Sequence, residues 1–321
     1  MQSISVVVPV YNEEESVKEC YLEISKVLES MGRSYEIIFV NDGSNDNTLE
    51  VLKECAKRDS HLVVIEFRRN FGQTAAMAAG FENSRGDIVI PMDGDLQNDP
   101  NEIPMMVSKL EEGYDLVAGW RKDRHDKKLT VTLPSKLGNK IIAKITGVYL
   151  HDNGCSLKVM TGDVARGIKL YGEMHRFIAA LANEMGAKIV EVPVNHRARK
   201  YGKSKYGLSK AIRVFLDLIL VKFLLGYSKR PIHLFGFLGL ISEFISFITF
   251  FYLMYQRFFM HIPMGNRPLL SLAVMLGIIG IQFIVFGLLA EVLARTYYES
   301  QDKKIYRIRN VYNYTNNEAN R

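Results

Sequence analysis

The chain has 321 residues, of which 48% are hydrophobic and 24% charged, and 41 basic against 35 acidic side chains give a net charge of +6. This composition excludes an intrinsically disordered chain, which has fewer apolar residues and more net charge per residue. Three cysteines without CxxC spacing exclude a disulfide-stapled scaffold and are expected to be reduced, inert thiols.

Strand and helix patterns alternate through the first 92 residues. Continuous β-branched apolar runs indicate strands that are buried on both faces, whereas apolar residues three to four apart indicate helices. The predicted strands are 3–10, 35–40, 62–67 and 87–92, and the predicted helices are 13–31, 46–58 and 72–83. This alternation predicts an α/β, Rossmann-like fold with a mostly parallel sheet and helices on both faces.

Polar residues follow each predicted strand. They are Asn12-Glu13, Asn41-Asp42, Arg69-Asn70 and Asp93-Gly94-Asp95. Such sheets bind ligands at the carboxyl ends of their strands, so these residues predict a site at one sheet edge. The sequence contains neither GxGxxG nor GxxxxGK[ST], so a standard dinucleotide or P-loop site is not supported.

Asp93 and Asp95 directly follow the fourth predicted strand. Two carboxylates this close would repel each other strongly if they were buried together. A divalent cation between them and a diphosphate would remove that repulsion, and oxygen ligands favour Mg²⁺ or Mn²⁺ over zinc. The alternative is an ordinary solvated acidic turn.

Two later segments combine an apolar side with a basic side. They are 133–148, with Lys136, Lys140 and Lys144 in one stripe, and 204–226. Basic amphipathic helices suit an anionic bilayer surface, so both are predicted to lie at a membrane interface. The alternative is that they are surface helices that pack on a soluble core.

Two long apolar stretches follow, at about 233–256 and 268–292, and each is long enough to span a bilayer. Residues 233–294 contain only four charged side chains. The sequence therefore predicts a two-helix transmembrane hairpin. The alternative, a hairpin buried in a soluble core, is one that helices apolar on all sides rarely form.

Lysine and arginine residues flank the outer ends of both stretches, and the N-terminus lacks a signal peptide pattern. The prediction is a multi-pass protein of the cytoplasmic (inner) membrane, with the catalytic part and both termini in the cytoplasm. The expected divisions are a catalytic domain over 1–203, interfacial helices over 204–232, the hairpin over 233–294 and a basic tail over 295–321. The tail is expected to be loose from about Asn310.

Within the hairpin, Glu243 and Gln282 lie at similar predicted depths. A carboxyl group inside a membrane needs a partner or a proton. We expect a hydrogen bond between these two side chains, within one chain or between two copies.

Several motifs occur in a known order. They are SVVVPVYNEE at 5–14, VNDGSNDNT at 40–48, RNFGQ at 69–73, DGDLQ at 93–97, DNGCSLK at 152–158, and the segments 196–206 and 291–298. This set resembles glycosyltransferase family 2, and most closely its polyprenyl-phosphate branch of bactoprenol glucosyltransferases, aminoarabinose transferases and dolichyl-phosphate mannose synthases. The resemblance covers residues 3–310 and implies a GT-A fold.

The resemblance also implies roles for residues on the donor side. Nucleotide-sugar binding is implied for Pro9, Tyr11, Glu13, Asp42, Arg69 and Asp93. Metal binding is implied for Asp93, Asp95 and Gln97, and a catalytic role for Asp95. For Arg69, the alternative is a surface cation paired with Glu66.

On the acceptor side, the resemblance implies phosphate binding by Arg121, Arg199, Ser204 and Lys205, with Arg124 a weaker candidate, and it also implies a catalytic role for Arg121. Asp152 matches a residue assigned as base or acceptor orienter. An orienting role is favoured, because a phosphate monoester is mostly a dianion above a second pKa of about 6 and needs no strong base. The alternative is that Asp152 caps a turn beside Gly154.

The expected reaction is metal-dependent, inverting transfer of a sugar from a nucleotide sugar, UDP-glucose or another UDP-hexose, to polyprenyl phosphate. Expected partners are membrane lipids, further copies in a homo-oligomer such as a tetramer, and a flippase or downstream glycosyltransferase, but no nucleic acid. One alternative is a glycolipid synthase that uses a lipid hydroxyl acceptor. Another is a non-catalytic membrane scaffold that binds nucleotide sugar.

Overall fold

The computed structural model describes residues 2–122, 143, 147–170, 174–197, 231–263, 268–300 and 305–313, with residues 231–234, 291 and 294–300 described by their backbone alone. The chain divides into two compact units, Met1–Leu218 with Lys304–Arg321, and Ile219–Lys303. The surface helix predicted over 204–226 lies outside the described residues, as does most of that predicted over 133–148.

The first unit is built on an eight-stranded sheet with the order β7-β5-β6-β4-β1-β2-β3-β8. The strands are β1 (Ile4–Val10), β2 (Tyr35–Asn41), β3 (Leu62–Phe67), β4 (Ile88–Pro91), β5 (Leu116–Trp120), β6 (Lys158–Thr161), β7 (Ile189–Pro193) and β8 (Ile308–Tyr312). β1 to β4 pair in parallel, whereas β6 and β8 run antiparallel to their neighbours. The predicted α/β fold with a mostly parallel sheet is confirmed.

Helices cover both faces of this sheet. They are α1 (Val17–Ser30), α2 (Thr48–Ala56), α3 (Gln73–Asn83), α4 (Ile103–Glu111), α5 (Gly162–Gly167) and α6 (Ile178–Glu184). Alternate residues of β1 face opposite ways: Val6 and Val8 join the core beneath α1, whereas Val7 contacts Gly80 of α3. The continuous apolar run of β1 therefore reflects a strand that is covered on both sides.

Two predicted boundaries differ from the structure for local reasons. α1 begins at Val17 rather than at residue 13, because residues 13–16 form a turn in which the Glu13 N–H donates to Thr48 Oγ1 at 2.8 Å. Residues 310–312, where the tail was expected to become loose, instead belong to β8, which pairs antiparallel with β3, and residues 314–321 lie outside the described residues. Glu66 of β3 is buried and accepts hydrogen bonds from Asn310 and Tyr312, so side chains as well as backbone hold this strand.

The second unit contains two long helices, α7 (Pro231–Phe259) and α8 (Pro268–Ser300). Phe235–Phe259 and Pro268–Ala290 are long and apolar enough to cross a membrane, and only 17% of the most apolar stretch of each is buried. This exposure argues against a hairpin sealed inside a soluble core. The Ser242 and Ser246 hydroxyls each donate to a carbonyl of α8 at 2.7 Å, to Leu276 and Ala273 respectively.

The expected Glu243–Gln282 hydrogen bond within one chain is wrong. Glu243 lies against α8 at Gly280, and a Cβ atom at Gly280 would sit 2.9 Å from its Cγ and Oε1. Gln282 is exposed on the outside of α8. The two residues share a depth along the helices but point in different directions, because each residue turns a helix by about 100°.

Replacing Gly280 by leucine is expected to force α7 and α8 apart, since the new side chain would overlap Glu243 and approach the Gly239 carbonyl. Overpacking of this kind costs about 1–3 kcal/mol. Thermal unfolding in detergent micelles would measure it. Gln282→Leu is the matched control and should leave the transition unchanged; greater damage from the control would restore a role for Gln282 in the hairpin.

Candidate active site

The ends of the four parallel strands bring the predicted donor-side residues to one edge of the sheet. Pro9 pairs with Val40 within the sheet, and Tyr11 follows as β1 ends. The Glu13 carboxylate accepts a hydrogen bond from Ser16 Oγ at 2.8 Å, and the same oxygen lies 3.1 Å from the Gly94 carbonyl oxygen. The turns after β1 and β4 are therefore joined directly.

Asp42 organises the loop that follows β3. Its buried carboxylate accepts the backbone N–H of Phe71 at 2.7 Å and of Gly72 at 2.9 Å. Burial raises the pKa of Asp42, and these two hydrogen bonds oppose that rise. Gly43 has a φ of +65°, and a Cβ there would meet the Arg69 carbonyl carbon at 2.4 Å, so the two loops touch backbone to backbone.

Arg69 is exposed on this loop and lies over the Phe71 ring, with its guanidinium carbon 4.5 Å from the ring centroid. The alternative pairing of Arg69 with Glu66 is wrong. Glu66 instead accepts hydrogen bonds from Arg309, Asn310 and Tyr312. Across the described ranges, Arg69 forms no ion pair.

Asp93 is half-buried, and both of its carboxylate oxygens have partners. Gln73 Nε2 donates to one at 2.8 Å, and Ser156 Oγ donates to the other at 2.6 Å. Burial and the neighbouring charge of Asp95 raise the pKa of Asp93. Leu96 is held at a φ of +64° within the same turn, a conformation that costs free energy and is often found at functional sites.

The donor set of this turn fits a hard divalent cation. Asp93 and Asp95 supply only oxygen ligands, and a cation would relieve the repulsion that raises the pKa of Asp93. In the part of the chain that is described, no three His, Cys, Asp or Glu side chains cluster as a metal site. Asp93 and Asp95 are the carboxylates of this turn that would hold such an ion.

Arg121 and Asp152 form a two-pronged ion pair on the other side of the site. Nε of Arg121 lies 2.6 Å from one carboxylate oxygen, and Nη2 lies 2.9 Å from the other. Burial opposes the charge of Arg121, but hydrogen bonds and attraction from Asp152 outweigh it and raise the pKa. Asp152 also accepts the Gly154 N–H at 3.2 Å, so it caps this turn in addition to binding arginine.

A second carboxylate, that of Glu191, binds the backbone of Asp152. Glu191 accepts the backbone N–H of Asp152 at 2.9 Å and lies 2.8 Å from His151 Nδ1. The His151 ring stacks on Trp120, with ring centroids 4.4 Å apart. The carboxylate of Asp152 is thus held in one orientation by backbone, arginine and turn contacts together.

Sequence reasoning assigned no role to two residues that connect these parts. Ser156 donates to Asp93 and also lies 2.9 Å from Asn98 Oδ1, so the segment after Asp152 reaches the acidic turn. Lys158 is fully buried and donates to the Cys155 carbonyl, and burial lowers the pKa of its amine. Both residues lie in the motif 152–158. The sequence shows a lysine there, but its burial, which is rare for lysine, is seen only in the structure.

The segment after β7 approaches the same acidic turn. His196 forms an isolated antiparallel bridge with Asn98, and Gln97 Nε2 lies 3.4 Å from His196 Nε2. Arg197 pairs with Glu23 at 2.6 Å and Asp99 at 2.8 Å. The predicted phosphate-binding residues follow shortly after but lie outside the described residues, as do the weaker candidates: Arg199, Ser204, Lys205, Arg124, Lys136, Lys140 and Lys144.

Comparison with known proteins gives relatives along almost the whole chain. The model of the family described as "Glycosyl transferase family 2" matches residues 5–166. A dodecaprenyl-phosphate galacturonate synthase from Rhizobium johnstonii is 43% identical over 313 residues, which cover 96% of this chain and 93% of the relative. An undecaprenyl-phosphate 4-deoxy-4-formamido-L-arabinose transferase from Edwardsiella ictaluri is 36% identical, covering 97% and 94%.

A solved structure shares the fold of the first unit. Glucosyl-3-phosphoglycerate synthase from Mycobacterium tuberculosis, crystallised with Mn²⁺ and uridine-diphosphate-glucose, aligns with a TM-score of 0.51. It is 18% identical and covers 70% of this chain and 79% of that chain. At this identity, the likeness supports the architecture of the sheet and its helices.

Proposed function

The chain belongs to glycosyltransferase family 2, and from this membership and the site geometry we propose that it transfers a sugar from a nucleotide sugar to a polyprenyl phosphate. The observation that carries the proposal is the hydrogen bond from Ser156 to Asp93. Ser156 lies in the segment 152–158, whose first residue, Asp152, pairs with Arg121. The Asp93–Asp95 carboxylates, which suit a metal diphosphate, and the Arg121–Asp152 ion pair are therefore connected through Ser156.

On the donor side, Asp42, Arg69 and the residues of β1 and its following turn form the proposed nucleotide pocket: Pro9, Tyr11 and Glu13. Asp93 and Asp95, with Gln97 beside them, are the proposed metal ligands. A bound Mg²⁺ or Mn²⁺ would neutralise charge on the departing nucleoside diphosphate. Arg69 is exposed on the loop that Asp42 holds, which suits contact with a diphosphate.

On the acceptor side, a phosphate oxygen attacks the anomeric carbon as the bond to the diphosphate breaks, with inversion at that carbon. The acceptor phosphate is already mostly a dianion above a second pKa of about 6, so its oxygen is nucleophilic without a strong base. Asp152 is committed to Arg121, which favours an orienting role over proton abstraction. Arg121, with Arg199, Ser204 and Lys205, is the proposed phosphate clamp.

The location of the acceptor explains the two apolar helices. A polyprenyl tail stays in the bilayer, so its phosphate is presented only at the membrane surface. β8 follows the hairpin yet pairs with β3 of the first unit. That pairing supports two crossings, with the catalytic unit and the chain beyond α8 on the same side, and we place that side in the cytoplasm from the distribution of lysine and arginine.

The donor is proposed to be a UDP-linked hexose or hexose derivative. The two relatives are named for galacturonate and for 4-deoxy-4-formamido-L-arabinose, so an acidic hexose derivative and, as an alternative to the proposed hexose, a formamido-substituted pentose belong in the test. UDP-glucose, UDP-galactose and UDP-N-acetylglucosamine complete the set of donors.

The test uses the purified full-length chain with Mg²⁺ or Mn²⁺, radiolabelled donors from this set, and undecaprenyl phosphate in detergent micelles. We expect label from one donor to enter the organic phase, with the opposite anomeric configuration in the product. Diacylglycerol is the control acceptor and should remain unlabelled. Transfer to diacylglycerol instead would indicate a glycolipid synthase, and nucleotide binding without any transfer would indicate a membrane scaffold.

A further inference from the structure

The segment Ile305–Asn313, which follows α8, packs along the edge of the sheet in the first unit. β8 pairs with β3 as far as Phe67, and the Arg68 N–H then donates to the Arg307 carbonyl at 3.1 Å. β3 ends where the loop 68–72 begins. The segment beyond the hairpin thus contacts Arg68, the first residue of the loop that Asp42 holds.

Tyr306 is the residue of this segment that is buried most deeply. It is 2% exposed, its hydroxyl donates to Glu82 Oε2, and its ring stacks on Phe67 with centroids 5.2 Å apart and planes 12° apart. Phe67 is 1% exposed and meets Phe71 edge to face at 5.7 Å. Three aromatic rings therefore run from the C-terminal segment into the loop 68–72.

Phe71 contacts two residues of the proposed donor pocket, Asp42 and Arg69. Its backbone N–H donates to the Asp42 carboxylate at 2.7 Å, and its ring carries the guanidinium of Arg69 at 4.5 Å. Arg68, Arg69 and Asn70 are all exposed, so the loop has few other apolar contacts of its own. A change in the position of the Phe71 ring would move both the Asp42 hydrogen bond and the arginine.

We propose that Tyr306 is a positioning residue that acts through Phe67 and Phe71 to hold Asp42 and Arg69 in the arrangement that binds the nucleotide of the donor. The proposal rests on the donor pocket of the proposed function. It gives the segment after the membrane hairpin a role in donor affinity. The contacts described for Tyr306 are with Glu82 and Phe67, so its proposed effect on the donor pocket is indirect.

The test compares full-length Tyr306→Met, which removes the ring, with Tyr306→Phe, which keeps the ring and loses only the bond to Glu82. Tyr312→Phe is the matched control, because it removes a hydrogen bond from the same C-terminal segment to Glu66 of β3 and leaves the three rings in place. Hydrogen–deuterium exchange of the Phe71 and Gly72 amides reports the loop, and calorimetric binding of UDP reports the pocket.

Tyr306→Met should speed exchange of the Phe71 and Gly72 amides, leave β1 amides protected, and raise the Kd for UDP about tenfold, the scale of one lost aromatic pair. The KM for undecaprenyl phosphate should not change. Tyr306→Phe and Tyr312→Phe should both stay within about twofold of the parent protein.

Unchanged exchange at Phe71 and Gly72 in Tyr306→Met would overturn the proposal. Faster exchange throughout the sheet, or an equal loss of UDP affinity in Tyr312→Phe, would also overturn it, because either marks a general structural role. If the parent protein fails to bind UDP, the proposed donor class is wrong, and the exchange pattern still decides the role of Tyr306.

Discussion

Asp95→Asn is expected to reduce sugar transfer by about a thousandfold while leaving the fold intact. The substitution removes one of the two carboxylates that would hold the metal diphosphate, and it keeps the shape of the side chain. The backbone N–H of Gln97 lies 3.2 Å from Asp95 Oδ1, and an amide oxygen accepts that bond equally well. Transfer of label from the nucleotide sugar to undecaprenyl phosphate, with saturating Mg²⁺ or Mn²⁺, measures the effect.

Asp87→Asn is the matched control because Asp87 lies just before β4, at the opposite end of that strand from the acidic turn. Its carboxylate accepts bonds only from the Ser3 backbone and hydroxyl among the contacts that the structure describes. Transfer by Asp87→Asn should stay within about twofold of the parent. Equal activity of Asp95→Asn and the parent would remove Asp95 from the metal site.

The acidic turn also predicts the acid side of the pH profile. Burial and the charge of Asp95 raise the pKa of Asp93, so Asp93 takes up a proton at a higher pH than an ordinary carboxyl group does. Protonation removes a metal ligand, and the activity at limiting metal should therefore fall with decreasing pH sooner than a normal aspartate would predict. Saturating metal should shift this fall to lower pH.

Arg121→Met is expected to lower the free energy of unfolding by about 3–5 kcal/mol and transfer by at least about a hundredfold. The stability loss arises because Asp152, with only 4% of its side chain exposed, would keep a buried charge without its arginine. Chemical unfolding in micelles and the transfer assay measure the two effects separately. Arg33→Met breaks a more exposed pair with Glu111 and should cost about 1 kcal/mol or less.

The double variant Arg121→Met with Asp152→Asn separates stability from function. Removing both charges removes the buried unpaired carboxylate, so much of the lost stability should return. Transfer should not return, since the proposed phosphate clamp and orienting carboxylate are both gone. Recovery of transfer along with stability would show that this pair only maintains the fold.

The part of the fold that could be predicted from sequence is the part with continuous local patterns. β1 to β4 are apolar runs because both faces of each strand are covered, and their observed ends lie within one or two residues of the predicted ends. The polar residues that follow them share one edge because the strands are parallel. The acidic turn could therefore be placed at this edge from the strand pattern and the polar residues that follow each strand.

Other features depend on contacts that have no local signature. β8 is only five residues long and mixes polar with apolar side chains, and it pairs with the edge of β3 and with Glu66, which precedes Arg309 by 243 residues of chain. The hydrogen bond of Ser156 to Asp93 likewise joins two turns that are 63 residues apart in the chain. In the hairpin, the depths of Glu243 and Gln282 along the helices could be predicted from sequence. The side of α8 that faces α7 could not, because it is set by Gly277 and Gly280, whose small size lets Glu243 and Ser246 approach α8.

β8 also fixes the order in which the molecule is completed during synthesis. The ribosome makes β3 early, whereas its outer neighbour emerges only after both apolar helices, a delay on the order of 10–50 seconds at usual rates of translation. During this interval the outer side of β3 is an unpaired strand edge, the kind of surface that recruits other chains and aggregates. Both apolar helices are therefore synthesised before the sheet can close, and a chain that stalls at that stage keeps an open edge for chaperones and proteases to recognise.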